Sequence, residues 1–462
     1  MKILIQKNLL SFLLLPLFIN FSMNVINGKD NLILFYFQNG HFLISLCLSF
    51  YFYYIFSEYL KISLNLESRI LAITYFLTSF FLLEFIFFPL IDIFPIKTIY
   101  YAILFFWISL IIIKTKSYTS LIHLFGTYGV LVYFNNYYFE KLKYLENYTE
   151  WNSDVPLQWA KITNLISAEG LLYTYGHNPV RGQGLLLSTI QTVIFKINFP
   201  MQDFQFIRVN TSLLLFLTCL LFFDLKISRK NKYLISLVFI LFVINSDWLS
   251  YLMTDSLMLD GLASLFFACF IYKSEDFMSK TFSINSSIFF IFFSTLFFSK
   301  QFLSTLSLIY IIYLFLFKRN LNTTFGLAVF GISGLYSKIY APMGNSSSLQ
   351  DQRSVFDLFF DLIYLRDIEL TVINEIFYEF AKDRIALLIL FFFLMSNLMP
   401  QVFKRNSIEN KILLIVFMNT LFILILYVSW WQNVEVQSSY RYFFTCLHLI
   451  MISLAYKEGA KS

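Results

Sequence analysis

Long apolar runs, separated by short polar stretches, make up most of this chain. A membrane-spanning helix needs about 17 to 25 mostly apolar residues, and about fourteen runs approach that length. Each is predicted to be α-helical, because a segment in lipid must satisfy its backbone hydrogen bonds internally. The pattern therefore predicts an all-α polytopic membrane protein with spans near 8–26, 32–56, 69–91, 98–113, 119–135, 207–225, 233–250, 255–272, 284–299, 302–317, 324–341, 385–400, 411–430 and 440–456.

The composition agrees with a chain that is largely in contact with lipid. Hydrophobic residues make up 58% of the 462 residues and charged residues only 13%, and the mean hydropathy is +0.69. The four cysteines lie far apart in apolar runs without the spacing of a metal site, which indicates packing residues. They are Cys47, Cys219, Cys269 and Cys446.

The positions of lysine and arginine predict the orientation of the spans. Cationic loops resist translocation and stay in the cytoplasm. Both chain ends and most short loops are basic, so both termini are predicted to be cytoplasmic. The basic groups are Lys2/Lys7, Lys61/Arg69, Lys114/Lys116, Lys226/Arg229/Lys230/Lys232, Lys273/Lys280, Lys318/Arg319, Lys404/Arg405/Lys411 and Lys457/Lys461.

This orientation requires that the apolar segment from Gly184 to Phe199 does not cross the membrane. The segment is short and has polar positions at Gln191 and Lys196. We therefore predict a helix that lies flat in the membrane interface. The alternative, a fifteenth span, would reverse every earlier segment and place the basic loops at Lys61 and Lys114 outside.

The predicted topology gives two large external loops, 136–206 and 342–384. In the first, Trp159, Ile162, Leu165 and Ile166 have the spacing of an amphipathic helix, and Asp154 precedes that helix. Asp154 therefore has two compatible interpretations, a helix N-cap and a reactive carboxylate. The second loop has the length of a cover that gates substrates.

The order of motifs in the first loop resembles that of a known superfamily. Asp154-Val-Pro-Leu-Gln-Trp-Ala160 is followed by Ala168-Glu-Gly170, then His177-Asn-Pro179, then the flat helix, and finally Arg208 at the start of a span. This order is similar to that of the GT-C membrane glycosyltransferases that use polyprenyl-phosphate sugars, including protein mannosyltransferases and aminoarabinose transferases. The later positions Asp255, Lys300-Gln301 and Tyr440-Arg441-Tyr442 also resemble that group.

The resemblance covers residues 119–456, so residues 1–118 are predicted to be an N-terminal extension of about four helices. Two positions depart from the superfamily pattern. The expected acidic pair is reduced to Asp154 followed by Val155, and Val180 replaces the second proline of the turn. These departures weigh against a two-carboxylate site. The sequence indicates no cofactor and leaves a divalent metal open.

The chemistry of sugar transfer assigns expected roles to these residues. A partly desolvated carboxylate has a raised pKa and can act as the general base, and Asp154 is our candidate. Cations can hold the donor phosphate, and the candidates are Arg208, Lys300 and Arg441. Each of these is also explained as a cation at the end of a span. The candidate substrate-binding residues are His177, Arg181, Asp255, Gln301 and Tyr440.

The resemblance implies an extracytoplasmic transfer of a sugar from a polyprenyl phosphate to a glycan, lipid or protein. A bacterial inner membrane is the expected location, with the site on the external face. The first alternative is a polysaccharide polymerase or ligase. A lipid-glycan transporter fits less well, because the ionisable groups lie mainly at span ends and not at span centres.

Overall fold

A computed structural model describes twelve stretches of the chain: residues 40–86, 96–115, 118–137, 160–169, 185–200, 211–228, 232–233, 235–236, 260–278, 281–299, 301–340 and 448–452. All regular structure in these stretches is helical, and they contain no strand. The prediction of an all-α fold is therefore confirmed for the described residues, and the polytopic membrane arrangement stays a prediction. The predicted spans 8–26, 385–400 and 411–430 lie outside the described residues, as does loop 342–384.

Eleven α-helices have defined bounds in the described part of the chain. Within that part, none combines the length and the apolar character needed to cross a membrane. The helices are α1 Gly40–Ser63, α2 Arg69–Ile86, α3 Ile96–Thr115, α4 Tyr118–Tyr137, α5 Ala160–Glu169, α6 Leu186–Asn198, α7 Thr211–Phe223, α8 Asp260–Met278, α9 Ile284–Ser294, α10 Gln301–Lys318 and α11 Leu321–Tyr340, with a 3₁₀ turn at Thr295–Phe298 between α9 and α10.

Helix α2 lies at the centre of the described bundle. Its residues Ala72, Phe76 and Phe80 are almost fully buried. The helix packs against α1 and α3 on the N-terminal side, and against α6, α7, α8 and α9 from later in the chain. The aromatic rings interlock edge to face, as between Phe76 and Trp107 at 5.8 Å. The helices before residue 119 therefore share a core with those that follow it.

The turn between α1 and α2 is built from local hydrogen bonds. Asn65 adopts a left-handed conformation (φ 52°), and the Leu66 N–H donates to the Lys61 carbonyl at 3.0 Å. This pattern is common where helices end. The Ser68 hydroxyl then accepts from the Leu71 N–H at 3.2 Å and caps α2. A tight reversal follows, so α1 and α2 are antiparallel neighbours.

Several basic loops meet at the end of the bundle where α1 ends and α2 begins, which we call the basic end. The end of α7 contacts the start of α2 there, since Asp224 bonds to Ser68. The end of α8 meets the starts of α9 and α11, since Asn322 donates to the Phe277 carbonyl at 2.9 Å and accepts from Ser286 at 2.8 Å. The loops carrying Lys61/Arg69, Lys226/Lys232, Lys273 and Lys318/Arg319 thus share one end, as the charge pattern predicts.

A close helix crossing joins α11 to α9 and α10. A Cβ atom added at Gly326 would lie 2.7 Å from the Phe290 ring and 3.0 Å from Ile311. A Cβ atom at this position would force the Phe290 ring or the helix backbone to shift, so glycine allows the close approach. The crossing holds α11 directly against α9 and α10.

Candidate functional site

Most of the predicted site residues lie outside the described residues. These are Asp154, His177, Arg181, Arg208, Asp255, Lys300, Tyr440 and Arg441. Gln301 is the first residue of α10. The structure describes helices that directly follow or precede these residues in the sequence. The arrangement of those helices limits where the residues can lie.

The short helix predicted after Asp154 is present as α5. Ile162 and Ile166, which the spacing placed on one face, are fully buried, and so is Thr163 between them. The buried face packs against α6. Thr192 of α6 donates to the Thr163 carbonyl at 3.5 Å. The helix that follows Asp154 is therefore held directly on the helix that follows His177 and Arg181.

Helix α6 is buried on nearly all sides. Only Lys196 among its 13 residues is partly exposed. At 1.5 Å per residue the helix is about 20 Å long, whereas the hydrocarbon core of a bilayer is about 30 Å thick. This length agrees with the prediction that segment 184–199 does not span the membrane. Its flat orientation in the membrane interface stays a prediction.

Hydrogen bonds anchor the C-terminal end of α6 to α1 and α4. The Tyr53 hydroxyl donates to the Asn198 side chain at 2.9 Å, and the Asn135 amide donates to the Asn198 carbonyl at 3.2 Å. Ser45 donates to Asn135 at 2.8 Å, and Tyr128 to the Ile197 carbonyl at 3.2 Å. These buried groups satisfy one another, which fixes the position of the helix end.

The 3₁₀ turn before α10 lies next to α6 and to the C-terminal end of α2. Phe298 lies against Phe81 near the end of α2, with ring centroids 5.2 Å apart. The 3₁₀ turn also contacts α6. Ser299 and Gln301, which flank Lys300 in the sequence, therefore belong to the end of the bundle opposite the basic end, beside the helix that follows Arg181.

An ionic cluster occupies the basic end. Asp224 accepts hydrogen bonds from the Ser68 hydroxyl (2.6 Å) and the Ile70 N–H (2.9 Å), and its carboxylate is 3.9 Å from the Arg69 guanidinium. Arg69 also bonds to Glu58. A carboxylate at a helix N-terminus is favoured by the helix dipole, so Asp224 stabilises the start of α2.

Lysine side chains surround this cluster. Lys232 donates to the Phe223 carbonyl at the end of α7 (2.6 Å), and burial lowers the pKa of its ammonium group while Asp224 opposes that shift. Lys226 pairs with Asp276 at 2.8 Å. The cluster ties α1, α2, α7 and α8 together.

A buried histidine links α7, α8 and the helical stretch 448–452. His448, in the helical stretch 448–452, is 1% exposed. Its Nδ1 lies 2.7 Å from the Ser264 hydroxyl of α8, and its Nε2 lies 2.9 Å from the Thr218 hydroxyl of α7. The imidazole thus bridges two helices with both ring nitrogens.

Sequence reasoning did not identify these two polar sites. Lys61 and Arg69 were interpreted only as charges that orient the spans. The acidic residues Glu58 and Asp224, which lie at predicted helix ends, could have indicated an ionic cluster. A lone histidine in an apolar run, as at His448, was a second signal, because a buried polar group requires partners. Glu84, 1% exposed near the end of α2, is a third buried polar group of this kind.

Within the described stretches, no group of three or more His, Cys, Asp or Glu side chains is placed to hold a metal ion. Comparison of the chain with models of known protein families, with curated proteins and with solved structures finds no match.

Proposed function

We propose that the protein is an integral membrane glycosyltransferase of GT-C architecture with about fourteen spans. It transfers a sugar from a polyprenyl-phosphate donor to an extracytoplasmic glycan, lipid or protein. Residues 119–456 form the catalytic region on an N-terminal extension, both termini are cytoplasmic, and the site faces outward. A bacterial inner membrane is the proposed location.

The observation that carries the proposal is the order of elements around α5 and α6. Asp154 precedes a short helix that packs on α6, and α6 follows His177 and Arg181. The 3₁₀ turn Thr295–Phe298 contacts the same helix. This arrangement supports a site in which one carboxylate and cations from distant parts of the chain meet at the end opposite the basic loops.

The proposed membrane location is supported by the outer surface of the bundle. Large apolar side chains face outward on α3, α4, α10 and α11, for example Phe105 (71% exposed), Ile122 (73%) and Phe317 (72%). Large apolar side chains that are exposed on several helices are favourable where the surface contacts lipid or another protein. The apolar composition of the whole chain supports the same location.

The proposed mechanism uses one base and several cations. The Asp154 carboxylate takes the proton from the acceptor hydroxyl as its oxygen attacks the anomeric carbon. The bond from that carbon to the phosphate oxygen breaks, and the polyprenyl phosphate leaves with its electron pair. Arg208, Lys300 and Arg441 stabilise the departing phosphate, because charge develops on it in the transition state.

A transfer assay tests the proposal. The purified full chain in lipid vesicles is supplied, in separate reactions, with monosaccharyl phosphoprenol or with a polyprenyl-linked oligosaccharide, and with extracted envelope glycans, lipids and proteins as acceptors. Addition of a single sugar with release of polyprenyl phosphate is the expected result. Transfer of a preassembled oligosaccharide block would identify the polymerase or ligase alternative, and movement of intact lipid-linked sugar between leaflets would identify the transporter alternative.

Charge-neutral substitutions test the phosphate-binding residues. Lys300→Gln and Arg208→Gln are each expected to raise the KM for the lipid donor about tenfold or more, because a hydrogen bond to a charged group contributes about 1.5 to 3 kcal/mol. The measurement is initial rate against donor concentration at saturating acceptor. Lys318→Gln, which removes a cation at the basic end of α10, is the matched control. An unchanged KM in both site variants would remove these residues from phosphate binding.

A further inference from the structure

The turn between α10 and α11 carries two exposed cations. Lys318 ends α10 and Arg319 follows it. Neither side chain forms an ion pair or a hydrogen bond within the described part of the chain. By contrast, Arg69, Lys226 and Lys273 at the same end of the bundle each pair with a carboxylate. The charges of Lys318 and Arg319 are therefore available to an anion outside the described bundle.

Local hydrogen bonds hold this turn in one conformation. Arg319 adopts a left-handed backbone conformation (φ 39°), which is uncommon for residues other than glycine. Its N–H donates to the Phe315 carbonyl at 3.1 Å. Asn320 and Thr323 exchange two side-chain-to-backbone hydrogen bonds, at 3.1 and 2.9 Å. Because the Asn320 amide also donates to the Met278 carbonyl of α8 at 2.8 Å, the turn is fixed to the bundle.

An exposed apolar stripe on α10 leads to the two cations. Ile309, Ile312 and Leu316 have the three- and four-residue spacing of one helix face, and all three are exposed. From Ile309 to Lys318 the helix rises about 14 Å. Apolar surface therefore continues along the helix up to the level at which the charge begins.

Further apolar side chains lie beside the turn. Phe317 and Leu321 flank the two cations in the sequence and are each 72% exposed. Phe282 and Ile284, which are also exposed, lie at the start of α9. The Phe282 ring is 5.7 Å from the ring of Phe325 in α11. The turn thus combines positive charge with an exposed apolar rim.

An anionic phospholipid matches this combination. Its phosphate lies directly above its acyl chains, as the cations lie directly above the apolar stripe. A guanidinium group can contact two phosphate oxygens at once, and an ammonium group adds a point charge. An acidic soluble protein would match the cations but would leave the stripe below them in water, which is unfavourable for exposed apolar side chains.

We propose that the α10–α11 turn binds the headgroup of an anionic phospholipid in the cytoplasmic leaflet. Lys318 and Arg319 hold the phosphate, and the acyl chains lie along the stripe of Ile309, Ile312 and Leu316. This proposal rests on the membrane location and orientation in the proposed function. The bound lipid is distinct from the sugar donor, whose proposed site is at the opposite end of the bundle.

Photochemical cross-linking tests the proposal on the purified full chain in phosphatidylcholine vesicles. The probe is a phosphatidylglycerol that carries a diazirine close to its phosphate. Cross-linked peptides are identified by mass spectrometry. Unlabelled phosphatidylglycerol or phosphatidylcholine with the same acyl chains is added as competitor. The measurement is the mole fraction of each competitor that halves cross-linking to residues 316–325, and the ratio of the two fractions gives the headgroup preference.

The unmodified protein is expected to prefer phosphatidylglycerol. Lys318→Gln and Arg319→Gly are each expected to lower that preference about fivefold, which is the usual contribution of one cation near an anionic membrane surface. Glycine suits the left-handed position, so Arg319→Gly removes the charge without disturbing the turn. Arg319→Lys keeps the charge and is expected to retain most of the preference. Lys226→Gln is the control, since it removes an exposed cation at the same end that is already paired with Asp276.

Three results would overturn the lipid site. The first is equal competition by both lipids in the unmodified protein, and the second is the same preference in all variants. The third is cross-linking of the turn in vesicles but not in membranes isolated without detergent, which would indicate that a protein covers the turn.

Sugar-transfer kinetics separate this proposal from the proposed function. Lys318→Gln is expected to change the headgroup preference and not the KM for the donor, and Lys300→Gln is expected to do the reverse. A headgroup preference in a protein that transfers no sugar would support the lipid site and overturn the proposed activity. Sugar transfer without a headgroup preference would support the activity and overturn the lipid site.

Discussion

Replacing Asp154 by asparagine is expected to lower the rate of sugar transfer by about 100-fold to 10,000-fold, which is the usual contribution of a general base. Asparagine has nearly the same shape and can still cap a helix, but it cannot accept the acceptor proton at neutral pH. The substitution therefore separates catalysis from the structural interpretation of Asp154. The measurement is kcat at saturating donor and acceptor in lipid vesicles.

Two controls accompany this variant. Asp203→Asn makes the same change elsewhere in loop 136–206 and is expected to leave kcat unchanged. Asp154→Glu keeps the carboxylate at a shifted position and is expected to retain a measurable part of the rate. Full activity of Asp154→Asn in a correctly inserted protein would remove Asp154 from the mechanism.

Replacing Asp224 by leucine is expected to lower the free energy of unfolding by about 3 kcal/mol, because the mostly buried charge of Arg69 then loses one partner. The change also removes the acceptor for Ser68 and for the Ile70 N–H at the start of α2. Arg69 retains Glu58, which keeps the expected loss at the lower end of the range for broken buried pairs.

Thermal unfolding can be followed with a thiol-reactive dye in a background with Cys47→Ser and Cys446→Ser, because Cys47 is already partly exposed. Cys219 and Cys269 are each 1% exposed and react only when the bundle opens.

Lys226→Leu is the control. Its side chain is 61% exposed and its partner Asp276 keeps Lys273 at 3.9 Å, so the loss is expected to stay below about 1 kcal/mol. Adding Arg69→Leu to Asp224→Leu should recover part of the lost stability, because the cation that lost Asp224 is then absent and Glu58 keeps Lys61 at 3.7 Å. Equal losses for Asp224→Leu and Lys226→Leu would contradict the assignment of Asp224 to the centre of the cluster.

The helices themselves were largely predictable, because they follow from local patterns. The spacing of Ile162 and Ile166 indicated the short helix α5, and the segment 184–199 contains α6 at Leu186–Asn198. The predicted span 284–299 is an α-helix that tightens into a 3₁₀ turn at Thr295. Apolar periodicity does not specify such a change of helix type, since an α-helix and a short 3₁₀ turn can bury the same apolar side chains.

The contacts between helices were not predictable from local patterns. Asp224 reaches Ser68 across 156 residues, and His448 reaches Thr218 across 230. The direction of each helix follows from loop charge, but the neighbour of each helix depends on packing of the whole bundle. The burial of α6 on nearly all sides depends on such packing. Its polar residues had predicted a helix in the membrane interface.

The sequence alone determined that this chain is helical, where most of its helices lie, and which loops share an end, because helix formation and charge distribution are local properties. Only the tertiary structure decided that α2 is the central helix, that Asp224 stabilises its N-terminus, and that His448 joins α7 to α8. The physical reason is that a buried polar or charged group must find its partner in space, and that partner can come from any distance along the chain.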